Sequence, residues 1–173
     1  TGEFATGGWV VSGGNATNFM STAKYNGLYG ANLRNGASII KTVSTVGYTN
    51  IQVSYWRRAE ALVAPQAVKV AWSTNGTAWT EIENTQDTNW RHSQISLPVA
   101  AEGQPSLSVR FKVDSYKNVE RAYYDDVLIT GTPSAAAVVI TNFTGWAGVK
   151  PAEYFEVPEQ ARAVPKVDFS KPG

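Results

Sequence analysis

Two stretches leave this chain little choice of architecture. In Asn50-Ile-Gln-Val-Ser-Tyr-Trp-Arg57, the residues Ile51, Val53 and Tyr55 fall on alternate positions, with Gln52, Ser54 and Trp56 between them. In Ser106-Leu-Ser-Val-Arg-Phe-Lys-Val113, Leu107, Val109, Phe111 and Val113 alternate with Ser108, Arg110 and Lys112. Successive side chains of an extended strand point to opposite faces. A period of two held over seven or eight residues therefore makes a strand with one dry face and one wet face.

The remainder repeats this pattern on a smaller scale. Strands are expected at 7–12, 28–33, 38–43, 50–57, 68–72, 79–83, 90–97, 106–113 and 121–130, with a long polar loop over 13–27. Asn35-Gly36, between the third stretch and the second, favours positive φ and is a hairpin signal. No segment carries a period of 3.6. Nine short strands separated by turn chemistry predict an all-β chain, a two-sheet antiparallel sandwich spanning residues 1–132. Residues 133–173 read differently. They allow one added strand at 135–141 and then carry Pro151, Pro158, Pro165 and Pro172 without periodicity. That is the signature of an extended tail or linker, and Trp146, Tyr154 and Phe155 are its candidate packing anchors.

Composition removes several classes of chemistry. With no cysteine there are no disulfides, thiolate metal sites or Cys nucleophiles, and the single histidine, His92, excludes a two-His zinc site. Fifteen basic against fourteen acidic residues leave a net charge of +1, which is no footprint for nucleic acid. No apolar run reaches the roughly 20 residues that span a bilayer, and no signal peptide opens the chain. Abundant Trp, Tyr, Ser, Thr, Asn and Gly without cysteine suits a secreted, extracellular bacterial sandwich.

Several pieces, taken in order, resemble a known group. They are Gly-Trp near the start, Tyr25-Asn-Gly-Leu-Tyr-Gly-Ala31, Gly47-Tyr-Thr-Asn-Ile-Gln-Val-Ser-Tyr-Trp-Arg-Arg-Ala59, Val70-Ala-Trp-Ser-Thr-Asn-Gly-Thr-Ala-Trp-Thr80 and Ala122-Tyr-Tyr-Asp-Asp-Val-Leu-Ile-Thr130. Over residues 7–131 the chain resembles jelly-roll accessory domains of secreted bacterial hydrolases and adhesins, such as galactose-binding-like carbohydrate-binding modules and MAM domains. The resemblance implies a jelly-roll-like arrangement. Within it, Ser73-Thr-Asn-Gly-Thr-Ala-Trp79 is similar to the Asp-box hairpin, which makes Trp79 a structural residue.

On strand parity, Asp125 shares a face with Val127 and Ile129 and should point inward, with Asp126 outward. A buried carboxylate must be paired, hydrogen-bonded or bound to a cation. The resemblance implies a structural Ca²⁺ held by Asp125, by the loop Lys24–Gly27 including Asn26, and by Glu3. The alternative is that Asp125 accepts hydrogen bonds from loop amides without a metal. For a sugar, the need is an exposed aromatic face with polar groups around it. Trp56, Lys69, Arg110 and Lys112 all lie on wet parities and would form one aromatic and basic surface if their strands were neighbours. Trp56 could equally be core in a second layer. Tyr25 and Tyr29 are further ligand candidates at loop ends, followed by Tyr48, Tyr116, Tyr123 and Tyr124, whereas Trp9, Trp72 and Trp90 read as packing residues. Glu81 and Glu83, two apart on one strand, should share a face, but they do not assemble a two-carboxylate glycosidase site. The expectation is a non-catalytic domain that binds a polysaccharide or glycan beside neighbouring domains of a larger secreted protein. The rival expectation is a structural or protein-interaction sandwich without a sugar site.

Overall fold

The computed structural model describes residues 3–20 and 23–134. The described residues contain one α-helical turn, α1 (Glu3–Thr6), a 3₁₀ turn (Val99–Ala101), and ten strands: β1 (Trp9–Ser12), β2 (Asn15–Met20), β3 (Gly30–Arg34), β4 (Ser38–Val43), β5 (Tyr48–Glu60), β6 (Ala67–Ser73), β7 (Thr80–Thr85), β8 (Arg91–Ser96), β9 (Leu107–Asp114) and β10 (Arg121–Pro133). The strands form two five-stranded antiparallel sheets, ordered β1-β4-β9-β6-β7 and β2-β3-β10-β5-β8. The expected all-β sandwich is therefore present. The tail reading and the added strand at 135–141 fall outside the described residues, as do Trp146, Tyr154 and Phe155. Among the described residues no helix is long and apolar enough to cross a membrane.

The two alternating stretches do what their period requires. Along β5, Ile51, Val53 and Tyr55 are buried while Gln52, Ser54 and Trp56 are only half-buried. Along β9, Leu107, Val109, Phe111 and Val113 are fully enclosed. Phe111 meets Tyr55 at 5.1 Å and 86°, and Tyr124 at 5.0 Å and 71°, so the sheets are joined by edge-to-face aromatic contacts. Burying each such side chain contributes on the order of 1.5–3 kcal/mol.

Three expectations about register and topology are corrected. Residues 15–20, read as loop, form β2. Its sequence Asn-Ala-Thr-Asn-Phe-Met lacks a period of two in apolar residues; it is an edge strand paired only with β3, and Ala16 packs against the core. Asn35-Gly36 does turn the chain, with φ of 53° and 74° and a hydrogen bond from the Ala37 amide to the Arg34 carbonyl. It does not make a hairpin: β3 stays in one sheet and β4 enters the other. The β1–β2 segment makes the same crossing alongside it. The corner is tight enough that a Cβ on Gly14 would sit 2.0 Å from the Asn35 carbonyl oxygen.

The third correction concerns parity. In β10 the register passes from Asp125↔Trp56 to Leu128↔Ser54, so one residue is inserted, and Asp126 takes φ of 46°. This bulge inverts the face on which later residues fall. Tyr124 points into the core before it and Ile129 packs against the core after it, so Asp125 shares the outer face with Tyr123 rather than the inner one. β7 contains a similar shift: Val70 pairs with Glu83 but Ala71 with Glu81. Glu83 turns inward to Tyr55 and Arg57, at 2.6 and 2.7 Å. Glu81 turns outward to Lys69, so the two acids do not share a face.

Candidate functional site

The outer face of the β2-β3-β10-β5-β8 sheet carries the densest group of ligand-type side chains. Register places them in rows. Asn15, Arg34, Arg121 and Glu60 make one row, and Thr17, Asn32, Tyr123 and Arg58 the next. Asp125, Trp56 and His92 make a third.

Trp56 forms the base of an aromatic stack. The Tyr25 ring lies on it with centroids 3.5 Å apart and planes 13° from parallel. Tyr25 remains 45% exposed, so its outer surface is the part that faces solvent. Trp90 stands edge-on to Tyr25 at 5.8 Å, and the His92 ring lies 5.2 Å from Trp56, tilted by 41°. The Arg58 guanidinium covers Tyr123 at 4.6 Å and Trp90 at 5.5 Å, a cation–π contact on both rings.

Local chemistry holds Tyr25 over the sheet. The backbone amides of Tyr25 and Asn26 both donate to Asp125 Oδ2, at 2.7 and 2.9 Å, and the Asp126 amide donates to Oδ1 at 2.8 Å. The loop closes because Gly30 has no side chain: a Cβ there would lie 2.1 Å from the Ala23 carbonyl oxygen. Asp125 thus acts as a clamp between β10 and the loop that carries Tyr25. Asn26 Oδ1 accepts from the Gly27 amide at 2.8 Å, and Glu3 opens α1 with its side chain outside the described residues. The oxygens of Asp125 and Asn26 are aimed at N–H donors rather than at a common point between them. Ca²⁺ takes six to eight oxygens around such a point. The two side chains do not fit that geometry as they stand.

Beneath the aromatic group lies an unusually unsatisfied polar floor. Among the described residues, eight buried side-chain N or O atoms lack a partner. Five of them are on this face: Thr17 Oγ1, Asn32 Oδ1 and the Nε atoms of Arg34, Arg58 and Arg121. Asn32 is only 2% exposed. Buried polar groups without partners are rare in native proteins and each costs about 1–3 kcal/mol, so a cluster of five makes this face energetically unusual. The polar groups that are paired form a chain. Arg121 Nη1 donates to the Tyr123 hydroxyl at 3.2 Å, and that hydroxyl donates to Glu60 Oε2 at 2.8 Å. Burial pushes the Tyr123 hydroxyl above its ordinary pKa, and the hydrogen bond to Tyr123 holds Arg121 above its own. Both keep their protons at neutral pH.

The other expected ligand residues lie elsewhere. Lys69, Arg110 and Lys112 belong to β6 and β9, in the opposite sheet from Trp56, so the single aromatic and basic surface expected of these four does not form. They line a cleft of about 180 Å³ with Trp79 and Glu81. Lys69 is already paired with Asp114 at 3.0 Å, and Arg110 stacks on Trp79 at 4.1 Å. In the Asp-box-like turn, Asn75 Oδ1 accepts from the Thr77 and Ala78 amides, at 2.9 and 2.8 Å. Tyr29, 57% exposed, borders a cleft of about 320 Å³ with Phe4, Trp9 and Asp126. Tyr48 and Tyr116 are exposed at loop ends, while Tyr124 is core. Its hydroxyl lies within hydrogen-bonding distance of the Lys69 and Lys112 carbonyls.

Four members of the sheet-face group, Arg34, Arg58, Arg121 and Asn32, lie outside the ligand candidates of the sequence, where Trp90 reads as a packing residue. Arg58 carried a usable signal, because it has the same parity as Trp56 two residues earlier. Arg121, Tyr123 and Asp125 also share one parity, but that face becomes recognisable only once the bulge at Asp126 is known.

No family model matches the chain, and no curated protein sequence matches it. Its likeness is to solved structures. A CBM61 module in complex with β-1,4-galactotriose is 19% identical, covering 74% of this chain and 93% of that one with a TM-score of 0.53. The CBM22-1 xylan-binding domain of Xyn10C from Paenibacillus barcinonensis is 17% identical, covering 73% and 87% with a TM-score of 0.49. At such identities the first likeness speaks for the fold. The described part of this chain is a two-sheet β-sandwich similar in fold to jelly-roll carbohydrate-binding modules.

Proposed function

We propose that this is a carbohydrate-binding domain whose ligand lies on the outer face of the β2-β3-β10-β5-β8 sheet. The observation that carries the reading is the Tyr25–Trp56 stack. It presents one solvent-facing aromatic surface on the same sheet face as the polar rows of Asn15, Thr17, Arg34, Arg58, Glu60 and Arg121. A pyranose offers C–H groups to an aromatic ring and hydroxyls to polar groups around it, and this face has both. Trp56 supports the platform from below and Tyr25 meets the sugar, with Trp90 as a wall. The domain works by holding a polysaccharide chain near other parts of an exported, polysaccharide-processing protein, and performs no chemistry of its own.

A polysaccharide and glycan screen tests this. Tyr25→Ala is expected to reduce binding by roughly tenfold or more, since the loss of one stacked ring is worth on the order of 1–3 kcal/mol. Tyr25→Trp should retain it. Absence of any glycan ligand across neutral and acidic polymers, with a folded protein, would overturn the reading.

A further inference from the structure

We infer that the polysaccharide taken by this face is anionic and bears uronate groups, its carboxylates being read by Arg34, Arg121 and Arg58. The inference rests on the carbohydrate reading above and adds the class of sugar.

Three guanidinium groups lie in two adjacent rows of one sheet, Arg34 paired with Arg121, and Arg58 one row on. Arg34 and Arg121 are directly opposite on neighbouring strands, an arrangement of like charges that is destabilising unless an anion answers it. Glu60 is the carboxylate that the sheet supplies. It is shared, at 3.5 Å from Arg58 Nη2 and 3.5 Å from Arg121 Nη1. Charge-assisted hydrogen bonds are shorter, about 2.7–2.9 Å, so neither pair is closed as a strong bond. Asp125, one row beyond Arg58, keeps its negative charge but makes no ion pair with these arginines, its oxygens being held by three backbone amides, so the three guanidiniums still outnumber the two carboxylates of this face. Arg34 has no acidic partner among the described residues.

The chain as a whole carries a net charge of only +1, so the excess on this face is local rather than a reflection of a basic protein. Arginine's planar fork matches a carboxylate bidentately. A neutral sugar would leave this charge largely unanswered. A polymer with a carboxylate on its sugars would answer it, while its ring stacks on Tyr25.

The test is binding of the whole chain to polygalacturonate and to the same polymer with its carboxyl groups reduced to alcohols. Neutral xylan and galactan, and dextran sulfate, serve as further arms, each at about 50 and about 300 mM salt. The expected result is binding to polygalacturonate that falls at least tenfold on carboxyl reduction and severalfold at the higher salt. Arg34→Ala should also lower it at least tenfold, with Arg34→Lys intermediate. The carboxyl-reduction arm needs no variant and holds even if Arg34→Ala fails to fold. Equal binding to native and reduced polymer, or retention of dextran sulfate alone, would overturn the uronate inference and leave the carbohydrate reading standing. No binding to any polymer would overturn both.

Discussion

At the scale of single residues, Asp125 links fold to site more directly than any aromatic does. Its carboxylate gathers amides from Tyr25, Asn26 and Asp126, and those bonds fix the height and tilt at which Tyr25 meets Trp56. A carboxylate bonded to backbone N–H groups contributes on the order of 1–2 kcal/mol at a half-exposed position. Asp125→Ala should therefore cost about that much in denaturant unfolding, and should also weaken glycan binding although Asp125 touches no sugar. Asp125→Asn, which keeps one acceptor oxygen, should recover part of both. If the clamp works through amides alone, EDTA leaves the melting temperature unchanged. A fall of several degrees in EDTA, restored by Ca²⁺ and not by Mg²⁺, would show that a cation shares this carboxylate.

At the scale of elements, the two sheets depend on a corner where the β1–β2 and β3–β4 segments cross together. A Cβ on Gly14 would lie 2.0 Å from the Asn35 carbonyl oxygen and 2.4 Å from that of Arg34, both backbone atoms. Gly14→Ala should destabilise the domain by about 1–3 kcal/mol, towards the upper end, because the added methyl meets a carbonyl rather than a flexible side chain. Gly76→Ala is a useful contrast: its Cβ meets nothing, so any cost there comes from its φ of 72° alone. The same corner explains what the sequence could convey. Alternation in β5 and β9 is a local property, and Ile51, Val53, Phe111 and Val113 could be assigned to the core by counting. Sheet membership is not local. The Asn35-Gly36 turn has the right backbone for a hairpin, yet its two flanking strands part into different sheets. Lys69, Arg110 and Lys112 were separated from Trp56 for the same reason. Bulges account for the rest. One inserted residue in β10 and one in β7 each invert parity, which moved Asp125 outward and split Glu81 from Glu83.

At the scale of the whole molecule, the titration of groups buried or paired in both sheets sets a pH window for stability. On the acid side, backbone and guanidinium hydrogen bonds from Asn89 and Arg91 lower the pKa of Asp87, and Lys69 lowers that of Asp114. A depressed carboxylate contributes stability that is present above its unfolded pKa, near 4, and is lost as pH falls through the folded value. On the alkaline side, burial raises the hydroxyls of Tyr55, Tyr124 and Tyr123, and Asp114 raises Lys69. These groups hold their protons in the folded chain after the unfolded chain has begun to release them, so their stabilisation is complete below about pH 10 and is lost above it. Each group adds at most about 1.4 kcal/mol per pH unit to that fall. Urea unfolding between pH 5 and pH 9 should therefore give nearly constant stability, with a steep decline beyond about pH 10. Tyr124→Phe isolates one contribution. It forfeits the hydrogen bonds to the Lys69 and Lys112 carbonyls, lowering the plateau by about 1 kcal/mol, but it should make the alkaline decline shallower. An unchanged alkaline slope in Tyr124→Phe would mean that this core tyrosine gives up its proton as readily in the folded chain as in the unfolded one, and that the space between the sheets is wetter than its packing implies.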